Sequence, residues 1–392
     1  MNETIELEIE RILPGGVGLA HAEGKTFFVM LAAPGDRLRV RVDRTQGNLS
    51  FASIVEILSP SPERVEPPCP YFGRCGGCDF QQLNYDAQLK AKADIIRDCL
   101  HRITKLQDLP DIKVTASPQQ WRYRGRATWQ FDREERSIGY YERGSRRVCD
   151  VADCAVLKPQ LQAVLEQVRS TDWSNIPADL KHLEATATEE GSSFSPELGN
   201  LRTDVVSLRI ARENYSYNAA AFFQANEFLL SSLIDAAIGD ESGNVALDLY
   251  SGVGLFTIAM ARRFSKVIAV ESSTAAIRFA RANLREADLH NAKVVGVTAT
   301  EWFRENLPTP GSVDFLLLDP PRAGAESVVI RGIVELRPAR ISYVSCDPAT
   351  LARDLKKLIA GGYELTSVEA FDMFPQTHHV ETVAHLSLTD AR

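Results

Sequence analysis

In YVSCDPATLARDL, Tyr343 to Leu355, an apolar run stops at Cys346 and a helical pattern begins behind Asp347-Pro348. Proline suits the first turn of a helix, where free N–H groups and the helix dipole favour an anion, so Cys346 reads as a nucleophilic thiolate. The bland alternative is a buried structural cysteine, a common role for this residue type. A nucleophile that must later leave needs a base beside it. Glu381, in FPQTHHVETVAHL, lies 35 residues further on, where mixed polarity gives way to an apolar strand. His378 and His379 are the alternative bases. A second group of reactive side chains, Cys69, Cys75 and Cys78, is spaced C-x5-C-x2-C on a Gly- and Pro-rich loop, so the thiolates can converge on one centre. Cys149 or Cys154 supplies the fourth, and a thiolate quartet suits either zinc or a 4Fe-4S cluster.

These side chains need a frame. From Val245 onward, short apolar strands alternate with helical patterns in VALDLYSG, KVIAVES, KVVGV, VDFLLLDPP and RISYVSC, which predicts a doubly wound parallel sheet. In its first unit a strand ends at Asp248, and Gly252 and Gly254 let the backbone approach a ligand closely. The next strand ends in Glu271, 19 residues after Gly252, where a carboxylate can accept hydrogen bonds from both ribose hydroxyls. The third glycine of a dinucleotide fingerprint is missing, and an acid stands four residues before Gly252, which favours S-adenosylmethionine over NAD. A further strand ends in Asp319-Pro320-Pro321-Arg322, whose prolines stiffen the exit and fix the carboxylate at the sheet's carboxyl edge. Methyltransferases acting on planar nitrogen carry a similar motif with an aromatic last residue. Arg322 in that place weakens the amino-methylation reading.

The first 58 residues alternate apolar and polar positions between Gly- and Pro-bearing turns, which predicts a small antiparallel β-barrel. SPSPERVEPPCP then forms a linker hostile to helix and central strand. Leu89, Ile96, Leu100 and Ile103 recur at helical spacing and predict a helix over 85–105. A chain of 392 residues with 44% hydrophobic and 24% charged residues is an ordinary globular protein of two or three domains. The predicted boundaries are 1–58, 59–212 and 213–392, with helix 85–105 able to pack on the last. No apolar run approaches the roughly 20 residues that span a bilayer, and no leader pattern opens the chain, so a cytoplasmic setting without membrane or obligatory protein partner is expected. Seven cysteines, an odd number, there favour ligands and nucleophiles over disulfides.

A net charge of −8 argues against a uniformly basic nucleic-acid binder. Local charge differs. Between Trp121 and Cys149 eight arginines face four acids, and Trp121, Tyr123, Trp129, Tyr140 and Tyr141 are interleaved among them. Arginine for phosphate and aromatics for unpaired bases is the composition of a single-stranded RNA surface.

One reaction would use all of these parts. Uracil C5 is too weak a nucleophile to attack a sulfonium methyl group, but thiolate addition at C6 makes it enolate-like, and a base must then remove the C5 proton. CPYFGRCGGCDFQQL, FFQAN, DLYSGVGLF, DPPR, SCDPATLARDL and HHVETV follow one another in an order that resembles the bacterial RNA uracil-5-methyltransferases with an N-terminal TRAM domain and an iron–sulfur cluster, across nearly the whole chain. The resemblance implies an α/β, Rossmann-like S-adenosylmethionine-dependent methyltransferase domain, an N-terminal TRAM or OB-like β-barrel and a mixed central iron–sulfur domain. It implies Cys346 as nucleophile and Glu381 as base, with Gln224, Tyr250, Glu271 and Asp319 lining the donor and uracil pocket. It further implies a 4Fe-4S cluster on Cys69, Cys75, Cys78 and Cys154, and RNA as partner, 23S rRNA before the T-loop uridine of tRNA. Leu255 and Thr298 depart from the family pattern at two cofactor contacts. The rival readings are an RNA-binding iron–sulfur protein without catalysis and a flavin- or NAD-linked oxidoreductase.

Overall fold

Alternating residues near the N-terminus fold into six strands ordered Thr4–Glu8, Arg37–Gln46, Leu49–Ser59, Lys25–Met30, Val17–Ala22 and Arg11–Leu13. The structure is a computed structural model that describes residues 4–305 and 309–389; residues 1–3 and 390–392 of the expected domains lie outside it. Leu7, Phe27, Val29, Leu38 and Val40 form the core of this first unit. One pairing differs from an all-antiparallel barrel: Lys25–Met30 runs parallel to the start of Leu49–Ser59. The long hairpin of Arg37–Gln46 with Leu49–Ser59 carries three register shifts, and such bulges bend a hairpin so that its two ends meet different neighbours.

Residues 60–84 contain neither a helix nor a multi-residue strand, as their prolines require. Asn84 then caps the helix Tyr85–Thr104 by accepting the Ala87 N–H at 2.9 Å, and Lys105 ends it in the left-handed conformation. This helix buries Ile95, Ile96 and Leu100 in the same core as Leu351 and Leu355 of the helix Pro348–Ala360. The short strand Lys113–Thr115 joins the edge of the C-terminal sheet, and the hairpin Val206–Ile210/Glu213–Tyr217 packs into that sheet's other core. The central unit is therefore narrower than 59–212. It is an antiparallel sheet ordered Val148–Asp150, Ser137–Tyr141, Arg126–Asp132, His182–Ala187 and Ser192–Ser195, packed on the helix Pro159–Arg169.

The C-terminal sheet has eight strands, ordered Ala292–Gly296, Phe264–Glu271, Gly243–Leu249, Phe315–Leu318, Arg340–Ser345, Glu381–Leu388, Tyr363–Phe371 and Lys113–Thr115. The first five are parallel, with one core on each side of the sheet. The doubly wound reading needs correction at the far edge, where Glu381–Leu388 inserts antiparallel to both neighbours. A hairpin-like return from Tyr363–Phe371 permits this, because no crossover helix separates the two strands. Among the described residues no helix is long and apolar enough to cross a membrane.

Candidate active site

From Gly243–Leu249 the chain crosses first to Phe264–Glu271 on one side and later to Phe315–Leu318 on the other. Strand order reverses there, and α/β sheets bind ligands outside the carboxyl ends at such a point. A cleft of about 740 Å³ opens at this place, and Gln224, Tyr250, Glu271, Asp319, Cys346 and Glu381 all line it.

The glycine loop is shaped by three left-handed residues, Tyr250 (φ 62°), Gly252 (φ 56°) and Gly254 (φ 95°). For a tyrosine that conformation costs roughly 1–2 kcal/mol, and its hydroxyl is tied to Glu326. The Glu271 carboxylate accepts the Gly252 N–H at 2.8 Å and the N–H groups of Ser272 and Ser273 at 2.8 and 2.7 Å, so it joins the loop to the end of its own strand. Asp248 is buried beneath them and accepts the Thr257 hydroxyl at 2.5 Å. Burial pushes its carboxyl up to about 7, against that hydrogen bond and with help from Asp319 and Glu271.

Ser345 pairs with Thr382 across the antiparallel ladder, so Cys346 and Glu381 are neighbours at the ends of adjacent strands, which stand about 4.7–4.9 Å apart in a sheet. Glu381 is 2% exposed, and its Oε1 has no hydrogen-bond partner among the described atoms. Burial pushes its carboxyl well above the ordinary range; the charge of Asp319 adds to this and Arg322 opposes it. Burial likewise raises Asp319 to about 7. The expectation of a helix-stabilised thiolate is corrected here. Asp347 caps the helix Pro348–Ala360 by accepting the Ala349 and Thr350 N–H groups at 3.0 and 2.8 Å, so the dipole's positive end is already answered by a carboxylate. The Cys346 thiol is pushed up to about 12 by burial and then by Glu381, with Arg322 opposing.

The two histidines stand behind this site and do not line the cleft. The His378 ring is 2.5 Å from Asp79 through Nδ1, and its backbone N–H donates to the same carboxylate at 2.7 Å. Arg322 donates to His379 Nε2 at 3.3 Å, and burial, followed by His378 and Arg322, holds the His379 ring down to about 3.

Comparison with known proteins places the chain in a family. The family described as tRNA (uracil-5-)-methyltransferase matches residues 200–389. An uncharacterized RNA methyltransferase of Thermotoga maritima is 32% identical over 97% of this chain and 98% of its own length. A 23S rRNA (uracil(1939)-C(5))-methyltransferase, RlmD, of Pectobacterium atrosepticum is 31% identical over 97% of this chain and 93% of its own length. The chain belongs to the RNA uracil-5-methyltransferase family. Its fold is shared with the Pyrococcus abyssi tRNA (uracil-54, C5)-methyltransferase, at a TM-score of 0.74 and 24% identity over 97% of this chain and all of that one.

Several residues of this uracil-5-methyltransferase escape a reading by sequence. Phe222, 65% exposed, stands in the cleft with the Arg126 guanidinium 5.9 Å from its ring centroid. FFQAN contains it, but only the exposure of so large an apolar ring marks it as a contact surface. Phe374 also reaches the cleft. Arg126, expected on the RNA face, is held by Glu184 and by the carbonyls of Ala219 and Ala221 at 2.8 Å each. Tyr123 and Trp129, expected as stacking platforms, are fully buried in the structure: Trp129 because alternate residues of the Arg126–Asp132 strand point into the central core, Tyr123 because its hydroxyl donates to the Pro375 carbonyl. Among the five aromatics only Tyr141 is exposed, at 43%. Leu255 and Thr298 both line the cleft, and Glu301 accepts the Thr298 hydroxyl at 2.8 Å.

Cys69, Cys75, Cys78 and Cys154 line one small cavity beside Arg124 and Tyr140, whereas Cys149 is buried in the Val148–Asp150 strand and does not line it. A side chain at Gly77 would stand 3.4 Å from the Cys75 sulfur, so glycine leaves the cavity open. Among the described residues no three His, Cys, Asp or Glu side chains are arranged as ligands of a single ion.

Proposed function

We propose that this enzyme methylates C5 of a uridine in RNA with S-adenosylmethionine as donor, 23S rRNA being preferred to tRNA, and that Cys346 and Glu381 carry the reaction. The observation behind this reading is the buried Glu381 carboxyl, whose Oε1 has no hydrogen-bond partner among the described atoms, beside Cys346 at adjoining strand ends in the cleft. When bound, the donor supplies an electrophilic methyl group and a positive charge that offsets the surrounding acids. Cys346 gives its proton to a cleft carboxylate and bonds C6, the ring electrons move toward O4, and Asp319 hydrogen-bonds the ring. C5 then takes the methyl group. Glu381 removes the C5 proton, the C5–C6 double bond reforms, and the Cys346 thiolate leaves, so that one proton and one methyl exchange places on carbon. Glu271 meets the ribose hydroxyls of the donor, and Tyr250 and Gln224 close the pocket around donor and base.

The preference for rRNA rests on the full-length likeness to the Pectobacterium enzyme, whose name specifies 23S rRNA. A 4Fe-4S cluster on Cys69, Cys75, Cys78 and Cys154 is the reading we attach to the one small cavity that these four cysteines share. It would brace the loop and take no part in methyl transfer, which moves no electrons. Exposed Arg136, Arg146, Arg147 and Tyr141 are the remaining candidates for RNA contact on the central sheet. The target base must leave its stack to reach the thiol.

The test is incubation with methyl-labelled S-adenosylmethionine and, separately, unmodified 23S rRNA and tRNA transcripts, followed by nucleoside mass spectrometry. 5-Methyluridine in the rRNA pool is expected. The same product in tRNA alone would reverse the substrate preference, and no product in either would remove the catalytic reading.

A further inference from the structure

Among the buried charges that the reaction does not use, one stands next to the segment that leads to Glu381. Lys92, on the helix Tyr85–Thr104, has a fully buried side chain ion-paired with Asp372, whose own side chain is also fully buried. Buried ammonium groups persist only where they are paired and hydrogen-bonded. The same Nζ donates to the Phe374 carbonyl at 3.1 Å. Both partners belong to the segment 372–378, which leaves the strand Tyr363–Phe371, sends Phe374 into the cleft and returns as the strand that starts at Glu381.

The rest of this segment is held from the same side. The Tyr123 hydroxyl donates to the Pro375 carbonyl at 3.0 Å, the Gln376 N–H donates to Gln88 Oε1 at 2.9 Å, and Asp79 accepts the His378 N–H at 2.7 Å. These tethers come from residues 79–123, between 252 and 299 positions away in sequence. Only Lys92 among them combines a charge with a bond to the residue that enters the cleft.

We propose that Lys92 is a positioning residue for Glu381: by holding Asp372 and the Phe374 carbonyl it fixes the segment that presents the base to C5. The inference rests on Glu381 being that base. Loss of the clamp frees the start of the catalytic strand to shift, and a displacement near 1 Å in a proton transfer costs up to about a hundredfold in rate. Methyl transfer precedes the step that Glu381 performs, so the defect should fall after it.

The experiment compares wild type, Lys92→Met, the apolar pair Lys92→Met/Asp372→Leu and Glu381→Gln, each given methyl-labelled S-adenosylmethionine and the RNA that wild type modifies. Turnover, labelled protein–RNA adduct on denaturing gels, donor affinity by equilibrium dialysis and thermal stability are read together. Lys92→Met should turn over about tenfold to a hundredfold more slowly, accumulate methylated adduct and keep its donor affinity. The double variant removes the orphaned carboxylate, so it should regain thermal stability while still accumulating adduct. If it regains turnover with stability, or if neither variant holds adduct while Glu381→Gln does, Lys92 serves the fold alone and the inference is overturned. Absence of adduct in Glu381→Gln itself overturns the assignment of the base, and the inference with it.

Discussion

Arg322 carries a sharp prediction, because it opposes the raised Cys346 thiol while burial, Glu381, Asp319 and Asp347 all push the other way. An opposite charge within about 4–6 Å moves a pKa by roughly 1–3 units. Arg322 is exposed on its outer side, so solvent screening places its effect near the lower end, about one unit. With the thiol at about 12, four units above pH 8, the thiolate is roughly one part in 10⁴ there, and alkylation follows that fraction. Arg322→Gln should therefore slow iodoacetamide labelling of Cys346 about tenfold at pH 8, read by peptide mass spectrometry to separate it from the other cysteines. Arg322→Lys keeps the charge and should stay within about threefold of wild type. Equal labelling of wild type and Arg322→Gln would refute the electrostatic account of this thiol.

Three other perturbations follow from the same structure. Asp248, raised by burial to about 7, binds its proton more tightly folded than unfolded, so its contribution to stability is full below about 4 and is lost as pH rises through 7; Asp248→Asn should stabilise the fold at pH 8 by at most about 4 kcal/mol, seen as a higher Tm, and leave Tm unchanged at pH 4. Asp36 has a fully buried side chain that accepts the Ser61 N–H at 2.9 Å and pairs with Arg64, tying the barrel to the linker; Asp36→Ala strands the guanidinium and should cost about 3–5 kcal/mol in thermal or chemical unfolding. Cys154→Ser should lose iron and sulfide in anaerobically purified protein while Cys149→Ser retains them, and the opposite result would exchange the fourth ligand.

Much of the site is legible in sequence because each element end carries its own local signal. Apolar runs stop at Asp248, Glu271, Asp319 and Cys346, and parallel strands deliver all such ends to one edge. The helix over 85–105 shows itself through spacing and its Asn84 cap. What escapes depends on distance or on facing. Trp129 lies in an arginine-rich stretch whose polarity hides which alternate residues point inward. The three residues of Lys113–Thr115 are too few to show a period, and their strand exists only because Tyr363–Phe371 offers an edge. Asp347 is a visible cap, yet the consequence for Cys346 appears only when Glu381 and Asp319 are seen beside the thiol. Lys92 and Asp372, 280 residues apart, leave no local trace at all.

The most direct measurement is the fate of Glu381→Gln on RNA with methyl-labelled donor. Thiol addition and methyl transfer remain available to that variant, whereas proton removal and elimination do not. A methylated protein–RNA adduct that resists denaturation should accumulate, vanish in Cys346→Ala/Glu381→Gln and map to the Cys346 peptide. Released 5-methyluridine at the wild-type rate with no adduct would contradict the account, because another group would then be taking the C5 proton.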